Sequence, residues 1–119
     1  MINLPTNWIL IHSILRLFFG DIASEFSLAD AADLTANYRA TISTGDTIAL
    51  FVVRNKLLDI LNQPGCMGVR IYYGLDSKGE KRMVLVGAAA NEDDMEKGVI
   101  VDNLLNCPTF CSSSNSINS

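Results

Sequence analysis

Three cysteines are the residues of this chain whose chemistry can be argued most directly. Cys66, Cys107 and Cys111 are an odd number, so at least one thiol stays unpaired within a monomer if disulfides form. Cys107 and Cys111 have a C-x3-C spacing, whereas thioredoxin-like redox motifs and zinc knuckles use C-x2-C. An activated thiolate would also need a nearby cation, and the closest basic residue before Cys107 is Lys97. This pattern favours ordinary thiols or a disulfide that pins a loop.

Two other uses of the cysteines stay open. One is a regulatory or redox dithiol formed by Cys107 and Cys111 together with Cys66. The other is a metal site in which His12 is the fourth ligand, although no two of these residues have the spacing of a structural zinc site. His12 is the sole histidine, and its apolar neighbours favour a hydrogen-bonded helix histidine over a general base. We therefore predict no metal site.

No known catalytic or cofactor signature is present. The sequence has no serine nucleophile elbow, no Walker loop and no dinucleotide fingerprint. The acidic run 91–98 fails the pattern of an EF-hand calcium loop because Met95 and Lys97 fall in the ligand register. Arg70, Tyr72 and Tyr73 could form a recognition surface, but aromatic residues in strands usually pack across the sheet. We predict no catalytic residue and no cofactor, which favours a protein that is not an enzyme.

The composition excludes several other classes. The chain has 119 residues, of which 49% are hydrophobic and 18% charged, as expected for one globular domain. The net charge of -4 has the wrong sign for a protein that binds a phosphate backbone by releasing counterions. We therefore expect no nucleic acid partner.

The first 24 residues are strongly apolar and carry only Arg16 and Asp21 as charges. They lack the basic start of a secretory signal, and His12, Ser13 and Arg16 interrupt the run that a membrane span needs. We predict a helix over about 5–19 whose apolar arc is wider than one neighbouring element covers. Two interpretations stay open, a central core helix and an interface with a protein partner or a second copy. We expect no membrane anchor and a cytoplasmic location, with a secreted or periplasmic one as the lesser alternative. The candidate interface residues are Trp8, Ile11, Leu15, Phe18 and Phe19.

Local signals predict the elements of the middle of the chain. Ser27 has the character of an N-cap and precedes a helical spacing of apolar residues that reaches Ile42. Residues 43–46 indicate a break. Residues 47–53 are compatible with strand or helix, and we favour one helix over about 48–62 that ends at Pro64 and Gly65.

The following residues predict a small sheet. The runs 69–74 and 82–87 are β-rich and are joined by turn residues at 76–79, which is typical of an antiparallel hairpin. Residues 99–101 are the candidate third strand. Cys66 should lie close to the first strand and be buried. The predicted fold is α+β, with helices packed on a three-stranded antiparallel sheet.

We divide the chain into the apolar helix 1–24, an α+β core domain 25–111 and a polar flexible tail 112–119. Burying Ile117 would return roughly 1.5 to 3 kcal/mol. Ordering the eight tail residues costs about 1 to 2 kcal/mol each. We therefore expect the tail to be held, if at all, by other molecules.

Four segments of the sequence resemble a group of small uncharacterised bacterial proteins. They are Ala29–Thr35 with Tyr38 and Arg39, the run from Leu61 to Asp76 that contains GCMGVRIYYGLD, Val84–Gly87, and the CPxxC motif at Cys107–Cys111. The resemblance covers roughly residues 28–111, and residues 1–20 depart from it. It implies a single compact domain and assigns no activity.

These observations lead to two functional hypotheses. The first is a non-enzymatic interaction or self-assembly module, a homo-oligomer or a binder of a protein partner, that uses the apolar N-terminal helix. The alternative is a thiol redox or metal-binding protein that acts through Cys107 and Cys111 with Cys66.

Overall fold

A computed structural model describes residue 23 and residues 25–119. The predicted N-terminal helix with its five candidate interface residues lies outside the described residues, as does His12. The first described helix, α1, spans Leu28–Arg39. The Ser27 side chain accepts a hydrogen bond of 3.0 Å from the backbone N–H of Asp30, which confirms the predicted N-cap. The helix ends three residues before Ile42, and turns over 43–46 confirm the break.

The prediction of one helix over 48–62 is wrong. Strand β1 spans Ala49–Phe51, and helix α2 begins only at Arg54 and ends at Leu61. Val53 precedes α2 with extended backbone angles, so the chain changes conformation inside the apolar run. The reason is tertiary, because β1 pairs antiparallel with strand β5, Leu105–Cys107, more than fifty residues further on.

The hairpin prediction is confirmed. Strand β2 spans Cys66–Leu75 and pairs antiparallel with β3, Lys81–Ala89. Asp76 caps the connecting turn by accepting backbone hydrogen bonds from Lys78 and Glu80, at 2.8 and 2.9 Å. The third strand, β4, spans Ile100–Val101 and pairs with β3, so the strand order is β2-β3-β4. The α+β class with an antiparallel three-stranded sheet is therefore correct, and the two-stranded β1-β5 sheet is an addition that the sequence did not indicate.

The core of the described chain is small. Ile60 of α2 is fully buried and forms a cluster with Leu85 of β3 and Val101 of β4. Val69 of β2 and Met83 of β3 are partly buried against this cluster. By contrast, α1 has no buried residue. The sheet is therefore packed near its centre, while the turn end of the hairpin and α1 keep much of their apolar surface exposed.

Candidate functional site

Two of the three candidate cysteines are bonded to each other. Cys107 and Cys111 form a disulfide with their Cα atoms 4.8 Å apart. Cys107 is buried at the end of β5, whereas Cys111 is exposed. Of the two alternatives that the sequence left open, ordinary thiols and a loop-pinning disulfide, the structure has the disulfide. The bonded Cys107 and Cys111 do not form a thiolate metal pair.

Cys66 is a free thiol and is half-buried. It is the first residue of β2, as predicted, and its thiol donates a hydrogen bond of 3.2 Å to the carbonyl of Gly68. Its prediction as a buried residue is correct only in part. Beside it, the Gln63 side chain accepts a 2.8 Å hydrogen bond from the backbone N–H of Val99 and donates one of 2.9 Å to the carbonyl of Ile60. Gln63 thereby ties the end of α2 to the segment before β4.

A polar cluster fixes the acidic turn to β2. Arg70 forms an ion pair with Asp94, and the Tyr72 hydroxyl donates to the other oxygen of that carboxylate. Arg70 also donates to the carbonyl of Glu92 at 3.0 Å. The hydrogen bonds from Tyr72 and Arg70 lower the pKa of Asp94. The Asp94 bond raises the pKa of Tyr72. These two strand residues therefore have a structural partner, while Tyr73, on the opposite face, is 87% exposed.

Tyr38 joins three separate parts of the chain. It lies in the last turn of α1, and its hydroxyl donates a 3.3 Å hydrogen bond to the carbonyl of Thr47, just before β1. The ammonium of Lys81, at the start of β3, donates to the same hydroxyl. That ammonium also lies 4.5 Å from the centre of the Tyr38 ring, which is cation–π geometry.

A largely apolar cavity of about 800 Å³ opens beside this contact. We call it the Tyr38 cavity, and it is lined by Tyr38, residues 47–50 and the turn end of the hairpin, residues 73–75 and 81–83. Its walls include Leu50, Leu75 and Met83, and its cations are Lys81 and Arg82. Such a cavity accepts an apolar side chain and tolerates an acidic group at its rim.

A second cavity of about 600 Å³ lies beside the same part of β1 and is named here the tail cavity. Leu34, Phe51, Phe110 and Ile117 contribute to its walls, and Tyr38 lines both cavities. Arg39 donates hydrogen bonds to the carbonyls of Ile117 and Ser119, the latter at 2.7 Å. The tail therefore contacts its own domain, contrary to the expectation that other molecules alone would hold it.

Sequence reasoning did not select Tyr38, Lys81, Arg39 or Gln63 as site residues. Tyr38 and Arg39 lie in the last turn of α1, where nothing in the local sequence marks either one as a site residue. Lys81 is 43 positions from Tyr38, and Gln63 is 36 positions from Val99, so no local spacing signals either contact.

Within residue 23 and residues 25–119, no group of three or more His, Cys, Asp or Glu residues is placed to hold a metal ion. In the same part of the chain, no helix has the length and apolar character that crossing a membrane requires.

Comparison with known proteins adds no relative. No protein-family model matches the sequence, and no curated protein or solved structure is significantly similar to it.

Proposed function

We propose that this protein is a non-enzymatic interaction or self-assembly module. The observation that carries the proposal is the apolar surface that the described residues leave exposed at the Tyr38 cavity and on α1. Tyr73 and Leu75 are 87% and 73% exposed there, and Leu28 and Leu34 of α1 are 59% and 60% exposed. Large exposed apolar patches mark contact sites in soluble proteins.

The short length of α1 and its lack of buried residues support a further contact that buries its apolar side chains. An isolated helix shorter than about 12 to 15 residues is marginal in water, and most helices are stabilised by packing one apolar face. α1 has 12 residues and buries none of them. Fully burying one Leu side chain is worth roughly 1.5 to 3 kcal/mol, so covering its exposed leucines would change the stability of α1 decisively.

The N-terminal segment 1–24 is the proposed contact element of the module. Its candidate residues Trp8, Ile11, Leu15, Phe18 and Phe19 would bury against a second copy or a protein partner. The predicted packing of both helices on the three-stranded sheet belongs to the same proposal. The packing of α2 on the sheet is supported by Ile60, which is buried against Leu85 and Val101. The other helix, α1, has no buried residue, and the contact element would cover it. The net charge of -4 supports a protein partner rather than nucleic acid.

Sedimentation equilibrium of the full chain and of a chain without residues 1–20 tests this function. We expect the full chain to associate and the shortened chain to associate more weakly. A well-behaved monomer in both samples would refute the proposal. The proposal includes a relationship between this chain and the group of small bacterial proteins that it resembles. A cloned member of that group that begins near residue 28 would serve as a natural comparison for the shortened chain.

A thiol function is the second candidate, and one observation favours it. The disulfide has a buried sulfur at Cys107 and an exposed one at Cys111, and Arg39 and Cys111 line the same cavity. An accessible sulfur and a cation in the same cavity are two features of the sites of reactive thiols. Disulfides persist in oxidising compartments, so this bond supports the secreted or periplasmic alternative over the cytoplasmic one. Thiol titration and metal analysis of protein purified without reductant distinguish a thiol or metal function from a structural disulfide. One titratable thiol and no bound metal would support the structural disulfide.

A further inference from the structure

Within the part of the chain that the structure describes, the outer edge of β2 has no strand partner, and we call it the free edge. β2 spans ten residues, Cys66–Leu75, and its only strand partner among the described residues is β3. The opposite edge of the sheet is different, because β4 has only two residues. A long strand edge with unpaired backbone groups is a template for pairing with another strand. Natural proteins protect such edges with proline or lysine, and β2 contains neither residue.

The alternation of hydrogen bonds along β3 shows which backbone groups of β2 point to the free edge. Gly87 and Ala89 of β3 bond to residues 95 and 93, on the side of the sheet away from β2. In an antiparallel ladder, successive residues direct their backbone groups to alternate sides. The even-numbered residues of β3 therefore bond to β2, where Val86 is opposite Arg70 and Val84 is opposite Tyr72. It follows that Val69, Ile71, Tyr73 and Leu75 direct their N–H and C=O groups to the free edge.

This alternation restricts how two copies of β2 could pair. In an antiparallel pair related by a two-fold axis, opposite residues must lie on the same face of the sheet. The axis therefore passes midway between two copies of the same residue, which are opposite each other. Odd-numbered residues lie opposite odd-numbered residues in every such register, so the central pair can be an odd-numbered residue that is hydrogen-bonded or an even-numbered residue that is not.

A register shift at Cys66 and Gly68 interrupts the ladder with β3, which is regular from Gly68 onward. The regular ladder ends at Leu75, so a register centred on Ile71 uses residues 68–74 and one centred on Tyr72 uses residues 69–75. The Ile71 register is favoured, because the Tyr72 side chains are already bonded to Asp94.

The register centred on Ile71 is self-complementary. It places the two Ile71 side chains together, Val69 opposite Tyr73, and Gly68 opposite Gly74. Arg70 is placed opposite Tyr72 and not opposite a second arginine, and its charge is already paired with Asp94. Ile71 and Tyr73 are 52% and 87% exposed, so pairing would cover side chains that the described chain leaves bare.

We infer that the β2 edge binds a second copy of this chain, antiparallel and centred on Ile71, to give a continuous six-stranded sheet. This inference rests on the proposed self-assembly function and adds a second contact surface to the N-terminal segment. The three regular hydrogen-bonded pairs would contribute about six backbone hydrogen bonds. Tyr73 lines the Tyr38 cavity and lies on the same face of β2 as Ile71. Because the two-fold axis is perpendicular to the sheet, the two Tyr38 cavities would open on the same face of the joined sheet.

The first test changes the centre of the pairing. Ile71→Lys places two like charges directly opposite each other, whereas Ile100→Lys introduces the same charge at a residue of β4 that is also 52% exposed. In sedimentation equilibrium of the full chain, we expect Ile71→Lys to weaken association by roughly tenfold or more, a change of about 1.4 kcal/mol. The control Ile100→Lys should associate like the unchanged chain.

The second test fixes the register without relying on a disruptive variant. In a Cys66→Ser background, Ile71→Cys places two thiols on Cα atoms about 5.5 Å apart, which is within disulfide range. In the same register, two copies of Leu75→Cys lie about 25 Å apart along the strands. We expect an oxidised dimer on a non-reducing gel for Ile71→Cys and not for Leu75→Cys.

The outcomes separate this inference from the proposed function. Association that Ile71→Lys leaves unchanged but that removal of residues 1–20 abolishes would overturn the edge pairing and support the N-terminal contact. Equal cross-linking at positions 71 and 75 would also overturn it. A monomeric full chain at about 100 μM, a concentration at which small interfaces still associate, would overturn both.

Discussion

Lys81 and Tyr38 connect two parts of the fold that otherwise share few contacts. The Lys81 ammonium lies 4.5 Å from the centre of the Tyr38 ring and donates a hydrogen bond to the Tyr38 hydroxyl. Lys81 begins β3 and Tyr38 lies in the last turn of α1, so this pair links the hairpin to a helix that has no buried residue. Because both side chains line the Tyr38 cavity, the same contact shapes one of its walls.

Removing this contact should weaken the attachment of α1. Tyr38→Phe keeps the ring but removes both hydroxyl bonds, and Lys81→Met removes the cation. We expect each variant to lose roughly 0.5 to 1 kcal/mol of unfolding free energy, as for exposed contacts of this type. Urea unfolding of the two single variants and the double variant measures it, and the double variant should lose less than the sum. Lys78→Met, in the hairpin turn, is the control, and additive losses would show that the pair does not act as a unit.

The pKa of Asp94 predicts a pH dependence of stability. Hydrogen bonds from Tyr72 and Arg70 lower this pKa in the folded chain. The unfolded chain lacks those bonds, so it binds a proton at higher pH, near the ordinary value of about 4. The stabilisation is therefore complete above that value and is lost as the pH falls through the lower folded pKa.

Asp94→Asn should remove this dependence. We expect the variant to be less stable than the unchanged chain at pH 7, with a difference that shrinks below about pH 4. Urea unfolding at a series of pH values measures both curves. Asp102→Asn, which alters an exposed carboxylate after β4, should retain the slope of the unchanged chain. A constant difference between Asp94→Asn and the unchanged chain at all pH values would contradict the assignment.

The tail allows a direct comparison of the sequence-based expectation with the structure. Arg39 binds two of its carbonyls, and the backbone N–H of Ile117 donates to the Asn115 side chain at 2.8 Å. We expect Arg39→Gln to speed hydrogen exchange at residues 115–119 by roughly threefold to tenfold, since charged hydrogen bonds are the stronger ones. Arg54→Gln is the control. Random-coil exchange across 113–118 in the unchanged chain would support the flexible tail that the sequence predicted.

The elements that could be predicted are those whose causes are local. The cap at Ser27 and the spacing that follows it define α1 within a few residues, and the turn beginning at Asp76 sets the hairpin register. Strand β1 could not be predicted, because its apolar residues satisfy a helical spacing as well and only pairing with β5 selects the strand.

The candidate site was harder to predict for the same reason. The cysteine spacing left ordinary thiols and a loop-pinning disulfide open, and the structure has the disulfide, whose partners lie within five residues. The Tyr38 cavity is assembled from α1, β1 and the hairpin, and each contributes residues that read as ordinary helix or strand positions. Only the tertiary arrangement of those three elements brings Tyr38 and Lys81 together.

Gly87 and Gly98 lie very close to the Gln63 side chain, which links the end of α2 to the segment before β4. A side chain at either glycine would disturb that link. A Cβ atom at Gly87 would lie 3.0 Å from the sulfur of Met95 and 3.1 Å from both the Cys66 sulfur and the Gln63 amide nitrogen. A Cβ atom at Gly98 would overlap the Gln63 amide and lie 3.2 Å from the carbonyl oxygen of Met95. Gln63 would have to move, and its 2.8 Å hydrogen bond to Val99 would be lost.

Gly87→Ala and Gly98→Ala should therefore destabilise the chain by about 1 to 3 kcal/mol each, the usual cost of overpacking. We expect the larger loss at Gly98, because a backbone carbonyl cannot yield as the end of a methionine side chain can. Gly68→Ala is the matched control, since a Cβ atom there meets nothing within 4 Å. Thermal unfolding of the three variants ranks them. If Gly98→Ala is as stable as Gly68→Ala, Gln63 does not hold β4 to α2, and the segment before β4 must be positioned by the Arg70 and Asp94 ion pair on the other side of the acidic turn.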